Sequence, residues 1–279
     1  MPDRAEEDRI PKAFTERLSQ LHGNQFEALG ACIQLSEKML KMRPANDLQQ
    51  IAGYCLASMT NSMTAVGVLC RYGHGADAIR VARGMFEVLV SLKYLISRPA
   101  EVRDYIDFDA VARWRRMQFY KTGHPSVYAN FPDSKTREVD GEYERVRERF
   151  LGPNGKPRPT WCKHPVSQMA ETAELSELYE LFYPYASALH HASPMGLAML
   201  VDSESLLIKP APQPAHIGVA LILAIKALVE AIRSRSKLQG ADCEAILQLI
   251  QKTADKDSIE EEPEGIVGSL AEIFPRSAY

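Results

Sequence analysis

Two groups of polar side chains stand at spacings that could do chemistry. Arg80, Arg83, Glu87 and Tyr94 recur at intervals of three, four and seven, near one stripe of a helix. Tyr183, Ser187 and His191 recur at i, i+4 and i+8 and would form a second stripe. An Arg–Glu pair on a wet helix face contributes only a few tenths of a kcal/mol. Inside a bundle the same pair becomes a polar seam that orients a third group. Arg83 and Glu87, flanked by Phe86, Leu89 and Val90, suit either reading. Histidine changes charge near neutral pH, so His191 has the chemistry of an acid or base, oriented by Ser187 or Tyr183. The alternative is a buried Tyr–Ser–His hydrogen-bond stripe at a helix end. His190 points about 100° away from His191, so both cannot face one partner.

Other constellations are incomplete. Ser187 and His191 sit one turn apart, but no G-x-S-x-G elbow or oxyanion hole accompanies them. The chain has neither Glu-x-x-His nor His-Glu-x-x-His, so no metal is expected. No G-x-x-x-x-G-K-[ST] or G-x-G-x-x-G opens a helix, and no cofactor is expected. A third feature is basic and aromatic: Arg113, Arg115 and Arg116 surround Trp114 and precede Phe119, Tyr120 and Lys121. Arginine beside aromatics can meet phosphates and stack bases, which makes RNA a possible partner. Helical geometry separates Arg115 from Arg113 and Arg116, and a solvated face over a buried Trp114 would look the same.

The elements that must position these groups are helical nearly throughout. Helices are expected over Pro11–His22, Asn24–Met42, Asp47–Arg71, Ala76–Ser97 and Ala100–Lys121, with Gly23, Pro44, Gly73 and Pro99 as punctuation. His124–Asp133 reads as a loop, Ser134–Leu151 as a charged surface helix, and Gly152–Pro165 as a proline-rich linker. Short and longer helices follow over Val166–Ala173 and Leu175–Ala192, where Pro184 can kink the chain below Tyr183. Ser193–Pro214 is irregular, with Val201 and Leu206–Ile208 as possible extended pieces. A long amphipathic helix, Ala215–Leu238, and a last one, Ala241–Thr253, precede an acidic tail, Asp255–Glu264. The fold class is all-α: a multi-helix bundle with proline-rich connecting loops. Residues 1–46 are expected to pack as N-terminal helices on a main domain over 47–279, with 134–165 peripheral to it.

Composition narrows the classes. The 279 residues are 46% hydrophobic and 25% charged, ordinary for a globular chain that builds its core without staples. A net charge of −3 argues against retention on nucleic acid or anionic lipid by bulk charge. The five cysteines are odd in number and widely spread, which speaks against a disulfide framework or a cysteine zinc site. The polar N-terminus has no signal-peptide core, and the most apolar stretch, Ile217–Ala231, falls short of the roughly twenty residues that span a bilayer. A cytoplasmic chain without membrane association is expected.

Over about residues 60–200 the sequence resembles a bacterial family of unknown function. The resemblance rests on an Arg-x-x-x-Glu helix, a following tyrosine-bearing helix and a later Tyr-x-x-x-Ser-x-x-x-His stretch, here Arg83, Glu87, Tyr105, Tyr183, Ser187 and His191. It implies a helical fold. A looser similarity runs to the HEPN superfamily of small helical bundles, which includes ribonucleases, toxins and non-catalytic binding modules. Active members carry Arg-x(4 to 6)-His near a helix start. Arg17–His22 and Arg158–His164 have that spacing, but neither lies in the Tyr–Ser–His helix. The leading expectation is a non-enzymatic or regulatory helical interaction module, dimeric or bound to a protein partner, in a bacterial stress or phage-defence setting. The rival is a metal-independent ribonuclease in which His191 is acid or base, Arg83 holds phosphate and Glu87 orients Arg83. A third class is small-ligand binding between bundle helices.

Overall fold

The computed structural model describes residues 12–191, 193, 194, 196, 212 and 214–257. Those residues form eleven α-helices, short 3-10 turns and no strand. The helices are α1 (Lys12–Leu21), α2 (Gly23–Leu40), α3 (Asp47–Arg71), α4 (Gly75–Ser97), α5 (Val102–Gly123), α6 (Pro125–Tyr128), α7 (Asp133–Val146), α8 (Val166–Thr172), α9 (Ser176–His190), α10 (Ile217–Gln239) and α11 (Glu244–Ala254). The chain is all-α, as its periodicity requires. Val201 and Leu206–Ile208 lie outside the described residues, and of the acidic tail only Asp255–Asp257 is described, as a 3-10 turn.

Two compact units divide the chain: residues 12–94 with 170–257, and residues 95–169. In the first, α10 is the central helix. It is apolar around most of its circumference, from Ile217 through Ile232, and packs against α2, α3 and α11. Asn46 caps α3 by accepting from the Gln49 backbone N–H, and Gly240 ends α10 in the left-handed conformation glycine tolerates. The start of α4 lies so close to α10 that a Cβ on Gly75 would sit 2.3 Å from the Ala215 carbonyl oxygen. Only glycine fits there.

Arg235 is buried in this unit at 2% exposure. Its guanidinium donates to the Met42 carbonyl at 2.9 Å and to the Gln49 carbonyl. One cation thus ties the end of α2 to the start of α3, and at Met42, past the C-terminus of α2, the helix dipole favours its charge. Burial pushes its pKa down.

The second unit is built on α5 and α7, around Ala110, Val111, Tyr143, Val146 and Phe150. Trp114 stacks on Tyr143 at 4.0 Å between ring centroids. Asp107 is buried and pairs with Arg103 at 2.8 Å and with Arg149. The hydrogen bonds of Arg149 and Arg103 hold the Asp107 pKa below the usual carboxylate range, against the pull of burial. The expected loop after α5 contains the short helix α6, begun by Pro125, whose fixed φ suits a first helical turn.

Candidate functional site

α4 and α9 carry the two polar stripes. α9 runs from Ser176 to His190 through Pro184 without a break, and Pro184 is exposed. Tyr183 therefore shares a helix with Ser187. Phe86 of α4 packs against Tyr179 and Tyr183, with ring centroids 6.4 and 5.9 Å away, and Tyr179 stacks on Tyr183 at 4.8 Å. This aromatic packing sets the Tyr183 phenol against the α4 polar stripe.

There the phenol closes a three-membered node. The Tyr183 hydroxyl donates to Glu87 Oε1 at 2.7 Å, and Arg83 Nη2 donates to the Tyr183 oxygen at 2.9 Å. Arg83 Nη2 also reaches Glu87 Oε1 at 2.9 Å. The Arg83 guanidinium lies 4.9 Å from the centre of the Tyr183 ring, within cation–π range. Arg83 is 12% exposed and Glu87 37%, so the node is half-covered, open mainly at its carboxylate. Burial, then the hydrogen bond to Glu87, pushes the Tyr183 pKa up to about 12. The phenol remains protonated at neutral pH and acts as a donor. Along the same face Arg80 donates to the Leu189 carbonyl at 3.1 Å, satisfying an orphan acceptor in the last turn of α9. Tyr94, the fourth member of the α4 stripe, is buried in the core.

Ser187 and His191 stand apart from the node. Ser187 is half-buried, and its carbonyl accepts from the His191 backbone N–H at 3.0 Å, which closes the helix. His191 is exposed, with its ring edge-on to His190 at 4.9 Å. Eight helical residues separate it from Tyr183, about 12 Å along the axis. Among the described residues no hydrogen bond joins its ring to Arg83 or Glu87.

The basic cluster of α5 is divided by its partners. Arg113 pairs with Asp109 at 2.7 Å and with Glu142 at 2.6 Å. Arg115 donates to the carbonyls of Pro157, Arg158 and Pro159, the last at 3.2 Å, and so pins the proline-rich stretch onto α5. Arg116 is exposed, with no charged partner among the described residues.

Other placements bear on chemistry. The cysteines Cys32, Cys55, Cys70, Cys162 and Cys243 are free and buried. Burial pushes Cys32 and Cys70 up to about 12 and Cys55 to about 11, so those three thiols are inert. Among the described residues no three His, Cys, Asp or Glu side chains gather as metal ligands, and no helix is long and apolar enough to cross a membrane. A hollow of about 220 Å³ between α10 and α11 is lined by Ile222, Lys226 and Gln251, without any member of the node. That is below the roughly 300 Å³ at which small-molecule sites begin.

The sequence matches the model of a family of unknown function, DUF5677, over residues 49–205. The chain belongs to the DUF5677 family. No curated protein and no solved structure matches it. The DUF5677 segment takes in both polar stripes, and so Arg83, Glu87, Tyr183, Ser187 and His191.

Reading the sequence missed three polar placements: Arg235, the Asp107 pairing, and a hydrogen bond of 2.5 Å between the Tyr185 hydroxyl and His216 Nδ1. Burial pushes Tyr185 up to about 12. His216 adopts a left-handed backbone at φ 70 as it enters α10. The only advance signal was an arginine just beyond the apolar run of α10.

Proposed function

We propose that this chain is a non-enzymatic helical interaction module. The observation that carries the reading is the closure of the Arg83–Glu87–Tyr183 node. A phosphate-holding arginine needs free donors aimed at open space. Here Arg83 Nη2 is shared between a carboxylate and a phenol of its own chain, and Nε is buried without a partner among the described residues, so neither nitrogen is aimed at open space. A group that orients a general base must lie within hydrogen-bond reach of it. Tyr183 stands about 12 Å from His191 along the helix axis, too far to orient it. The node instead joins α4 to α9, and its chemistry is that of a fastener.

The test is cleavage of single-stranded RNA by wild-type protein and by His191→Ala, with and without Mg²⁺. The module reading expects no cleavage above a buffer blank from either protein. Cleavage by the wild type that His191→Ala abolishes would overturn it in favour of a nuclease.

A further inference from the structure

Between Asp47 and Arg71, the ends of α3, no residue carries a charge. The chain is 25% charged, so a segment of that length would ordinarily hold about six charged side chains. The inward face accounts for part of this, since Ile51, Leu56, Met59, Met63 and Val66 are buried. The outward face does not. Tyr54 is 67% exposed, Val68 54% and Tyr72 47%. Ser58, Asn61 and Ala65 lie exposed between them. At 100° per residue all six fall within a band less than a quarter-turn wide. Water-facing helices normally carry their charges on such a band. A charge-free band that includes two exposed tyrosines has the composition of an interface core.

We infer that this face of α3 docks a second copy of the chain, antiparallel about a two-fold axis at Asn61. The inference rests on the interaction-module reading and names its partner. The order of side chains supports it. Reversing α3 about Asn61 sets Tyr54 against Val68, Ser58 against Thr64, and Gln50 against Tyr72. Large side chains thus meet across the outer turns, and small ones meet at the centre. Helices pack at 8–10 Å according to the side chains between them, and Ser58, Asn61 and Ala65 permit the close end of that range. A face that complements its own reversal is what an isologous dimer needs. Nucleic acid and anionic membranes are recognised through cations, and this band has none. The band is about 27 Å long and one helix wide, smaller than a standard interface, so affinity in the micromolar range is expected.

Sedimentation velocity from about 1 to 100 µM, a range set by that affinity, tests the proposal on the full chain. Wild type should pass from monomer to dimer. Asn61→Lys and Asn61→Glu should each weaken the dimer more than about tenfold, because the axis places like charges together. An equimolar mixture of the two should associate again, and circular dichroism should report unchanged helix in both. The native cysteines are buried, so Asn61→Cys adds an accessible thiol. It should form a disulfide-linked dimer under mild oxidation, while Glu37→Cys on exposed α2 should not. A wild type that stays monomeric to the top of the range overturns the inference, as does a dimer unaffected by Asn61→Lys. Neither result touches the module reading, which falls only on RNA cleavage.

Discussion

Replacing Tyr183 by phenylalanine removes one oxygen and leaves the ring that packs on Phe86 and Tyr179. Two hydrogen bonds to charged partners disappear, the 2.7 Å bond to Glu87 and the 2.9 Å bond from Arg83. Hydrogen bonds to charged groups contribute about 1.5–3 kcal/mol when buried. This node is half-covered, and the Arg83–Glu87 pair survives the change, so solvent screening lowers the expected cost to about 1–2 kcal/mol in total. For a chain of this size that is roughly 2–4 °C in melting temperature. Urea unfolding of Tyr183→Phe, Glu87→Gln and the double variant measures it. The two costs should fail to add by about 1 kcal/mol, because the residues share a bond. Unchanged stability of Tyr183→Phe would refute the reasoning and leave the phenol idle on the surface.

Further outcomes follow from the buried groups. Folding holds the Cys32, Cys55 and Cys70 thiols and the Tyr183 and Tyr185 phenols protonated above their ordinary values of 9.0 and 10.0. Between those values and their folded values near 11 to 12 the unfolded chain binds fewer protons, so stability should hold below pH 9 and fall from there toward 12. Urea midpoints that stay flat to pH 11 would contradict this. Arg115→Met frees the carbonyls of Pro157, Arg158 and Pro159, and limited proteolysis should then cut the Gly152–Pro165 stretch several-fold faster. Equal cutting would mean that the arginine does not pin it. Asp107→Asn leaves Arg103 and Arg149 without their shared buried carboxylate and should cost about 1–3 kcal/mol, read as a lower urea midpoint.

How much of this could be read from sequence depends on how far each residue's partner lies along the chain. Arg83 and Glu87 are one helical turn apart, so their pairing was legible in the spacing alone. Tyr183 was legible as part of a stripe, but its place on Glu87 depends on how α4 and α9 pack, which no local pattern encodes. The helix that carries Ser187 and His191 was equally plain. Where the His191 ring points was not, because it caps the helix and is exposed. Arg113, Arg115 and Arg116 looked alike in sequence. They differ in structure because one meets carboxylates, one meets carbonyls more than forty residues away, and one meets solvent. Arg235 was hidden for the same reason: its partners, the carbonyls of Met42 and Gln49, carry no side-chain signature. Pro125 was read as part of a loop, yet α6 begins on it, because a proline's fixed φ suits a first helical turn as well as a loop.

The most direct test of the central claim measures stability and RNA cleavage together on wild type and Arg83→Met. Methionine keeps most of the volume beside Tyr183 and removes the donors to the phenol and to Glu87. If the node is a fastener, Arg83→Met loses about 1–3 kcal/mol of unfolding free energy, and neither protein cleaves RNA. A wild type that cleaves RNA, with an Arg83→Met variant equally stable but inactive, would contradict it.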